Sequence, residues 1–542
     1  MRGPHGARAS KAVWGHYLLI GVVPVLMAWL YLAASARGGG QGFPLDDSWI
    51  HVRFAQNLAA GRGFAFNPGE PSTGATSPLW ILVLAGGLLA MRSPLVAAYV
   101  LGVALTIAAC VVVYKIALTL LDNRGFALAT ALLTGITGPM TWASLSGMEP
   151  PLYTFLTLLG IYLYLLARAG ARRPRFAWPA VLALAALARP ECALVFVLAL
   201  VDTWLLELAR GGRRAVVPLL RATAAQVAVF AAFLLPVLIR NLVVSGQPFP
   251  STLYAKTPPS GVFSPILSQI GAGEWASLGT RLGAVPRKWL VDVLETAAGN
   301  NPLLLVLFGV GVVEVVRLAR RADLSHRSLL LPLIFIGTPL LVGVLAPVAL
   351  PSFQEQRYAT HLVPVFVVVG MLGAFRLVGL AGVRPRASRL RVWALGVLLA
   401  LIAAGPLLTL RHRAQTYALG VKNINALQVA AAEWLRDNTP PDAIMAAQDV
   451  GAVGVISGRH VLDLGGLITP EVIPFRYDDA RVLAYLERAR PDYLVILPVD
   501  RPILSRRTDL FTPVQDFMIP KEELLTASSN YLVIYRTAWA GG

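Results

Sequence analysis

The sequence has few charged residues for its length. Only 14% of its 542 residues are Asp, Glu, Lys or Arg, whereas 56% are hydrophobic. A soluble globular protein carries about 25% charged residues. The shortage of charge, together with long apolar runs, therefore excludes an ordinary soluble enzyme and indicates a polytopic membrane protein.

Cysteine and the familiar nucleotide and metal motifs are also scarce. Cys110 and Cys192 are the two cysteines, and both lie in apolar stretches, so a disulfide framework is excluded. The sequence has no Walker loop, no GxGxxG segment that begins a helix, no HExxH motif and no pair of CxxC motifs. These absences argue against ATP-driven transport and against soluble nucleotide-sugar chemistry.

The net positive charge is large and is distributed over several short basic runs. The net charge is +18, and Arg and Lys gather in short runs between apolar segments. Such runs are typical of loops that face the cytoplasm. We therefore expect the lipid bilayer, and no nucleic acid, as a partner.

Eleven apolar segments are candidates for transmembrane helices, each of which needs about 20 apolar residues. The first is too long for the core of a signal peptide, so it is predicted to be retained. The predicted spans are 14–34, 94–119, 126–145, 150–168, 176–190, 192–209, 215–239, 301–318, 328–347, 360–380 and 392–410.

The basic clusters predict the orientation of these spans. Arg2, Arg8 and Lys11 place the N-terminus in the cytoplasm, and alternation then places every later dense cluster on the same side. This result requires that segment 78–91 does not cross, and we expect it to lie at or dip into the outer surface. The later clusters are Arg124, then Arg168, Arg172, Arg173 and Arg175, then Arg210, Arg213 and Arg214, then Arg317, Arg320, Arg321 and Arg327, and finally Arg384, Arg386, Arg389 and Arg391.

Two domains follow from this pattern. Residues 1–410 form a transmembrane domain with a first outer loop at 35–93, and residues 411–542 form an extracytoplasmic α/β domain. In the second domain "VAAAEWLRDNTP" predicts a helix with Trp434 and Leu435 on its apolar face. The segments "AIMAAQDVGAVGV", "DYLVILPV" and "NYLVIYRT" predict strands.

Two adjacent acids follow the first span. Asp46 and Asp47 precede Ile50, Phe54 and Leu58, which recur every four residues and predict a short amphipathic helix on the bilayer. One of the acids is expected to cap this helix, because Asp is favoured at the N-cap. Two acids at the rim of a membrane cavity are also suited to catalysis, and the sequence leaves both roles open.

Two further side chains extend this candidate site. His51 follows Asp47 by one helical turn and can share its face. Glu149, in "SGMEPP", stands at the outer end of a helix, because Pro150 and Pro151 suit the first helical turn. Glu149 is a candidate catalytic residue that orients the acceptor or holds Asp46 in register, and a capping carboxylate is its alternative role.

Basic residues at the outer ends of the spans form the other half of the site. Together with His51, the candidates for substrate binding are Arg189, Arg240, Lys256, Arg357 and His361. The alternatives are a structural ion pair for Arg189 and snorkelling to outer headgroups for Arg240 and Arg357. Ionisable groups at membrane depth are functional candidates. Acids facing Arg and Lys across an outer cavity suit a phosphate-bearing lipid.

Five spaced segments carry a resemblance to a known superfamily. They are "LDDSWIHVRFAQNLAAGRGFAFNPGEPSTGATSPLW", "SGMEPPLYTFL", "LARPECAL", "GQPFPSTLYAK" and "QRYATHLVP". In this order they resemble segments of bacterial membrane glycosyltransferases of the C (GT-C) superfamily, in particular the terminal arabinofuranosyltransferases. The architecture is similar, more loosely, to protein O-mannosyltransferases and to the lipid A aminoarabinose transferase.

The resemblance implies a transferase that takes a sugar from a polyprenyl-phosphate donor at the outer face of the bacterial cytoplasmic membrane. The acceptor is an envelope glycan, a lipid or a protein. In that family an acid of the first outer loop serves as the catalytic base, and the resemblance assigns this role to Asp46, with Asp47 beside it. Trp49 and His51 differ from the named enzymes, so the sugar stays open.

The expected mechanism is a single displacement with inversion, in which Arg240, Lys256 and Arg357 bind the donor phosphate. No cofactor is required, although paired acids can bind a divalent metal.

Two other classes remain as alternatives. A flippase or transporter of lipid-linked sugars also needs a cavity for an amphiphile, but the sequence shows no clear internal repeat. A polymer-binding scaffold would explain the C-terminal domain but not the acids at the outer rim. In that domain Asp449 and Asp463 are either ligands or residues of turns and strand ends.

Overall fold

The computed structural model describes residues 4–170, 174–256, 269–320, 328–345, 353–379 and 389–541. Several basic residues of the predicted cytoplasmic clusters lie outside these ranges, namely Arg2, Arg172, Arg173, Arg321, Arg327, Arg384 and Arg386.

Helices build the membrane domain, and each predicted span falls on a helix or on a bent pair of helices. The corresponding helices are Pro4–Gly38, Pro94–Leu121, Arg124–Gly135 with Gly138–Leu145, Pro150–Arg168, Pro174–Ala188, Ala193–Gly211, Val216–Ser245, Pro302–Arg320, Leu330–Leu345, Leu362–Leu377 and Arg389–Ile424. In the described part of the chain, six helical stretches are long and apolar enough to cross a membrane, and the bent pair gives a seventh. The count of eleven crossings stays a prediction.

One predicted span, 126–145, is bent by 57°. The helix Arg124–Gly135 ends before a second helix, Gly138–Leu145, whose first turn contains Pro139. Proline lacks the N–H group that would continue the first helix but suits the first turn of the next. The apolar pattern continues through the bend, which is why the sequence predicts one span.

Other helices lie between the spans. They are Asp47–Ala59, Pro78–Ala90, Ser251–Lys256 and Trp275–Asn300. Pro78–Ala90 has 13 residues, fewer than a bilayer crossing requires. It shares one buried core with the helix Asp47–Ala59, and this core contains Trp80 and Phe54.

The C-terminal region forms a five-stranded sheet. Its strands are β1 (Ile444–Ala447), β2 (His460–Asp463), β3 (Tyr493–Ile496), β4 (Phe511–Met518) and β5 (Tyr531–Thr537), in the order β2-β1-β3-β5-β4. β1 pairs in parallel with β2 and β3, whereas β3, β5 and β4 pair antiparallel. The strand predictions at β3 and β5 agree with this sheet, while β2 and β4 were not predicted.

Helices connect the membrane domain to this sheet and its strands to one another. The helix Arg389–Ile424 runs through position 410, where the sequence places the domain boundary, and a π-helical turn at Asn425–Val429 leads into Ala430–Asn438. Further helices are Asp479–Ala489 and Pro502–Ser505, and short 3₁₀ turns lie at Pro190–Cys192, Gly212–Ala215, Pro470–Val472 and Lys521–Glu523.

The prediction that "GAVGV" continues β1 as a strand is wrong. β1 ends at Ala447, and Gly451–Ile456 is a helix. A parallel pairing of β1 with β2 requires a crossover connection, and this short helix lies within it. A short apolar run does not by itself distinguish a buried strand from a buried helix.

The C-terminal sheet docks on the first outer loop. Asn67 donates to the carbonyl of Val461 at 3.0 Å and accepts from its N–H at 3.1 Å. Ser72 donates to the carbonyl of Ile468 at 3.3 Å. These side-chain bonds to the strand β2 and the turn after it fix the sheet above the loop that carries the two acids.

Candidate active site

An acid and two cations from distant parts of the chain meet at the start of the helix Asp47–Ala59. Asp47 Oδ2 lies 2.9 Å from Arg357 Nη1 and 3.6 Å from Lys256 Nζ. The Asp47 side chain is 31% exposed, whereas that of Arg357 is 4% exposed. Burial tends to raise the pKa of Asp47, but Lys256 and Arg357 outweigh it and hold the pKa well below its usual range. The site therefore pairs an accessible carboxylate with two positive charges.

A constrained turn presents Arg357. The preceding residues Gln354, Glu355 and Gln356 have φ angles of 47°, 55° and 66°, which is a left-handed conformation that non-glycine residues rarely adopt. Tyr153 donates its hydroxyl to the carbonyl of Arg357 at 2.6 Å. This hydrogen bond fixes the backbone of Arg357, so the position of its guanidinium does not depend on the ion pair alone.

Asp46 faces the C-terminal domain. Its Oδ2 accepts from the N–H of Gly451 and its Oδ1 from the N–H of Ala452, both at 2.8 Å. The carboxylate makes no capping bond to its own helix, so the predicted cap is not formed by this side chain. Burial, reinforced by the nearby Asp449 carboxylate and opposed by the two N–H bonds, raises the pKa of Asp46 to about 8.

Glu149 belongs to a second, deeper cluster. Its Oε1 forms an ion pair with Arg189, and its Oε2 lies 3.3 Å from His51 Nε2. Arg189 Nε is also 3.4 Å from Glu191 Oε2. Glu149 is 2% exposed and makes no capping bond, so this acid is buried between two basic groups rather than presented to solvent.

Tyr358 joins the two clusters, and the sequence analysis missed it. Arg357 Nη2 donates to the Tyr358 hydroxyl at 2.9 Å, and the guanidinium carbons of Arg189 and Arg357 lie 4.4 and 5.0 Å from the centre of its ring. Cations near an aromatic face are attracted to it. The only available signal was its place directly after Arg357 in "QRYATH".

Two further predicted site residues, Arg240 and His361, lie in different surroundings. Arg240 Nη2 donates to the carbonyls of Phe64 and Ser72, each at 3.0 Å, so this guanidinium holds together the first outer loop. His361 is fully buried, with its ring centre 5.5 Å from that of Tyr153. Neither of its ring nitrogens has a hydrogen-bond partner among the described residues.

An apolar cavity opens beside the segment that carries Arg357. Its volume is about 60 Å³, and Gln356 and Ala359 line it next to the side chains of the spanning helices. The other lining residues include Leu304, Phe335, Leu362, Phe366 and Val367. Arg413, which also lines the cavity, forms an ion pair with Glu355 at 2.9 Å. The cavity walls suit a hydrocarbon chain.

No group of three or more His, Cys, Asp or Glu side chains suited to hold a metal ion occurs within the described ranges.

Two solved structures are similar to this protein over nearly the whole chain, and a family profile matches its C-terminal region. A family profile described as a domain of unknown function (DUF8728) matches residues 419–538, and no curated protein matches the sequence. ArnT from Cupriavidus metallidurans, solved bound to undecaprenyl phosphate, is similar over 96% of this chain and 98% of its own, with a TM-score of 0.56 and 13% identity. The oligosaccharyltransferase AglB from Archaeoglobus fulgidus, solved with an inhibitory peptide and a dolichol-phosphate, is similar over 97% of this chain and 76% of its own, with a TM-score of 0.58 and 13% identity. These similarities confirm the predicted fold class, a polytopic helical membrane protein with a C-terminal sheet domain.

Proposed function

We propose that this chain, which has the GT-C fold, transfers a sugar from a polyprenyl-phosphate donor to an acceptor at the outer face of a bacterial cytoplasmic membrane. The N-terminus lies in the cytoplasm and the C-terminal domain outside. The observation that carries the proposal is the ion pair of the accessible Asp47 with Arg357 and Lys256. The fold supports it, because the similar ArnT and AglB were solved with undecaprenyl phosphate and dolichol-phosphate.

Arg357 and Lys256 bind the donor phosphate. The donor is a phosphodiester with one negative charge, and the lipid phosphate gains charge as the sugar leaves. Cations placed at this phosphate therefore stabilise the transition state more than the ground state, which lowers the barrier. A guanidinium suits this role because its planar donors match phosphate oxygens.

Asp47 is the group best placed to accept the proton of the acceptor hydroxyl. It is partly exposed beside the cations, whereas both oxygens of Asp46 hold backbone N–H groups. The geometry thus favours the second acid as the base, although the resemblance assigned that role to the first. A donor phosphate on Arg357 and Lys256 offsets their charge, so the pKa of Asp47 rises and it becomes a stronger base when the donor is bound.

The reaction is then a single displacement with inversion at the sugar carbon. The acceptor hydroxyl attacks the anomeric carbon, the bond from this carbon to the phosphate oxygen breaks, and Asp47 takes the hydroxyl proton. The lipid phosphate leaves with the electron pair. Proton transfer to a positioned base commonly contributes about 10²–10⁴-fold to the rate.

The apolar cavity next to Gln356 accommodates the first part of the prenyl chain. The segment that supplies Arg357 also supplies Gln356 and Ala359 to the cavity wall. One short stretch of chain therefore contacts both the phosphate and the hydrocarbon of the same donor lipid. The acceptor is an envelope glycan, lipid or protein.

The test is a transfer assay with the purified protein in detergent. A panel of radiolabelled polyprenyl-phosphate sugars, including arabinofuranose and mannose, is incubated with envelope extract, and labelled glycan, lipid and protein are measured. Transfer from at least one donor without a sealed membrane supports the proposal. The outcome that would contradict it is movement of the donor lipid across the membrane of proteoliposomes without sugar transfer from any donor. That result would establish a transporter.

A further inference from the structure

The C-terminal domain contacts the first outer loop directly at Asp46, one of the two adjacent acids. The first N–H groups of the helix Gly451–Ile456 donate to Asp46, one to each carboxylate oxygen. The backbone carbonyl of Asp46 in turn accepts from the N–H of Trp49 at 2.9 Å, in the first turn of the helix that begins at Asp47. A contact made by the C-terminal domain is therefore one residue away from the proposed base.

The segment that donates these bonds is itself anchored. Gln428, which is 1% exposed, donates from Nε2 to Asp449 Oδ2 at 2.8 Å. Gln428 belongs to the π-helical turn Asn425–Val429, which follows the helix Arg389–Ile424. The turn before Gly451 is thus tied to the helix that leaves the membrane domain.

The contact also requires a glycine. A Cβ atom at position 451 would meet the backbone carbonyl oxygen of Asp46, and it would lie 2.8 Å from Oδ2 of the same residue. Real Cβ atoms essentially never approach other heavy atoms so closely, so any side chain here must displace the acid or the helix. The fit between Gly451 and Asp46 therefore leaves no space for another residue.

We propose that the C-terminal domain is a positioning element of the transfer site, in which the start of the helix Gly451–Ile456 holds Asp46 and thereby sets Asp47 against Arg357 and Lys256. This inference rests on the proposed function and gives a role to the region matched as a domain of unknown function. Asp46 and Gly451 are positioning residues, and Asp47 touches the substrate.

The first test compares two Gly→Ala variants of the same helix. Gly451→Ala crowds Asp46, whereas at Gly454 a Cβ would lie 2.5 Å from the Cζ atom of the Phe66 ring and would crowd the same loop away from the acids. A displacement of about 1 Å at a reacting group costs up to about 10²-fold in rate. Gly451→Ala is expected to lower kcat by about 10–100-fold. It is not expected to raise the Kd for polyprenyl phosphate, because the cations lie on other segments and a displaced Asp47 competes less with the phosphate for them.

Gly454→Ala is the matched control and is expected to keep kcat near the wild-type value. A selective loss in Gly451→Ala supports positioning of Asp46. Equal losses in both variants would show that any disturbance of docking lowers the rate, and full activity of Gly451→Ala would show that the contact is irrelevant. Either result overturns the proposal.

A second measurement does not depend on transfer or on the folding of Gly451→Ala. Amide hydrogen exchange is followed by mass spectrometry in the wild type and in Asp46→Ala, which removes both oxygens that accept from the N–H groups of Gly451 and Ala452. Exchange is expected to rise in peptides that contain Gly451 and Ala452 and to stay unchanged in β3. Unchanged exchange at 451 and 452 would refute the contact. A rise at these amides in the variant, combined with no transfer by the wild type from any donor of the panel, would refute the proposed function and leave the contact established.

Discussion

The substitution Asp47→Asn separates chemistry from donor binding. It keeps the shape of the side chain but removes the charge that lies 2.9 Å from Arg357 and 3.6 Å from Lys256. Loss of a general base costs about 10²–10⁴-fold in kcat. Each factor of ten corresponds to about 1.36 kcal/mol, so the barrier rises by roughly 2.7–5.4 kcal/mol.

The same substitution is expected to leave donor binding intact or to strengthen it. Asp47 competes with the donor phosphate for the two cations, so its neutralisation frees positive charge for the ligand. Because the Asp47 side chain is 31% exposed but that of Arg357 is only 4% exposed, the loss of stability is expected to lie between the roughly 0–1 kcal/mol of a surface pair and the 3–5 kcal/mol of a broken buried pair.

The assay combines initial rates of labelled sugar transfer with equilibrium binding of polyprenyl phosphate. Asp509→Asn is the control, because Asp509 also pairs with an arginine, Arg507, at 2.6 Å but on the surface of the C-terminal domain. We expect kcat to fall in Asp47→Asn only, with no increase in Kd. Turnover within about 3-fold of the wild type would exclude Asp47 as the base, and a weakened affinity for polyprenyl phosphate would contradict the competition between carboxylate and donor.

Two further substitutions test the electrostatics of the site. Lys256→Met removes a cation that favours the ionised form of Asp47, so the pKa of Asp47 rises. The acid limb of the pH profile of kcat/KM is therefore expected to move to higher pH. Lys422→Met, at an equally exposed lysine, is the control and is expected to leave the profile unchanged. An acid limb that stays in place would remove Lys256 from the site. Glu149→Gln removes the closer of the two carboxylates that pair with the buried Arg189. The thermal-unfolding midpoint should therefore fall by several degrees more than in Glu207→Gln, whose carboxylate is 32% exposed. Equal midpoints for these two variants would show that the deeper cluster does not stabilise the fold.

The membrane helices were predictable because their signal is strong and local. About 20 consecutive apolar residues identify a span without knowledge of its neighbours. The domain boundary was harder, since the helix Arg389–Ile424 leaves the apolar region without a break at residue 410. The helix at Gly451–Ile456 was missed because its length and composition also suit a buried strand.

The sequence names candidate residues for the site but does not name their partners. Adjacent residues in a helix point about 100° apart, so the sequence alone does not decide which of Asp46 and Asp47 faces the cations. A cation at the outer end of a span is equally suited to bind a phosphate or a loop carbonyl, and the placement of the first outer loop gives Arg240 the second role. The bond from Gly451 to Asp46 joins residues about 400 positions apart, and no local pattern predicts it.

The most direct test of the central claim is a cryo-EM structure of the protein with bound polyprenyl phosphate. The account predicts phosphate oxygens at about 2.7–3.2 Å from nitrogen atoms of both Arg357 and Lys256, with Asp47 beside the phosphate and the prenyl chain entering the cavity next to Gln356. A phosphate bound at Arg240, at Arg413 or elsewhere, with the ion pairs of Asp47 undisturbed, would contradict it.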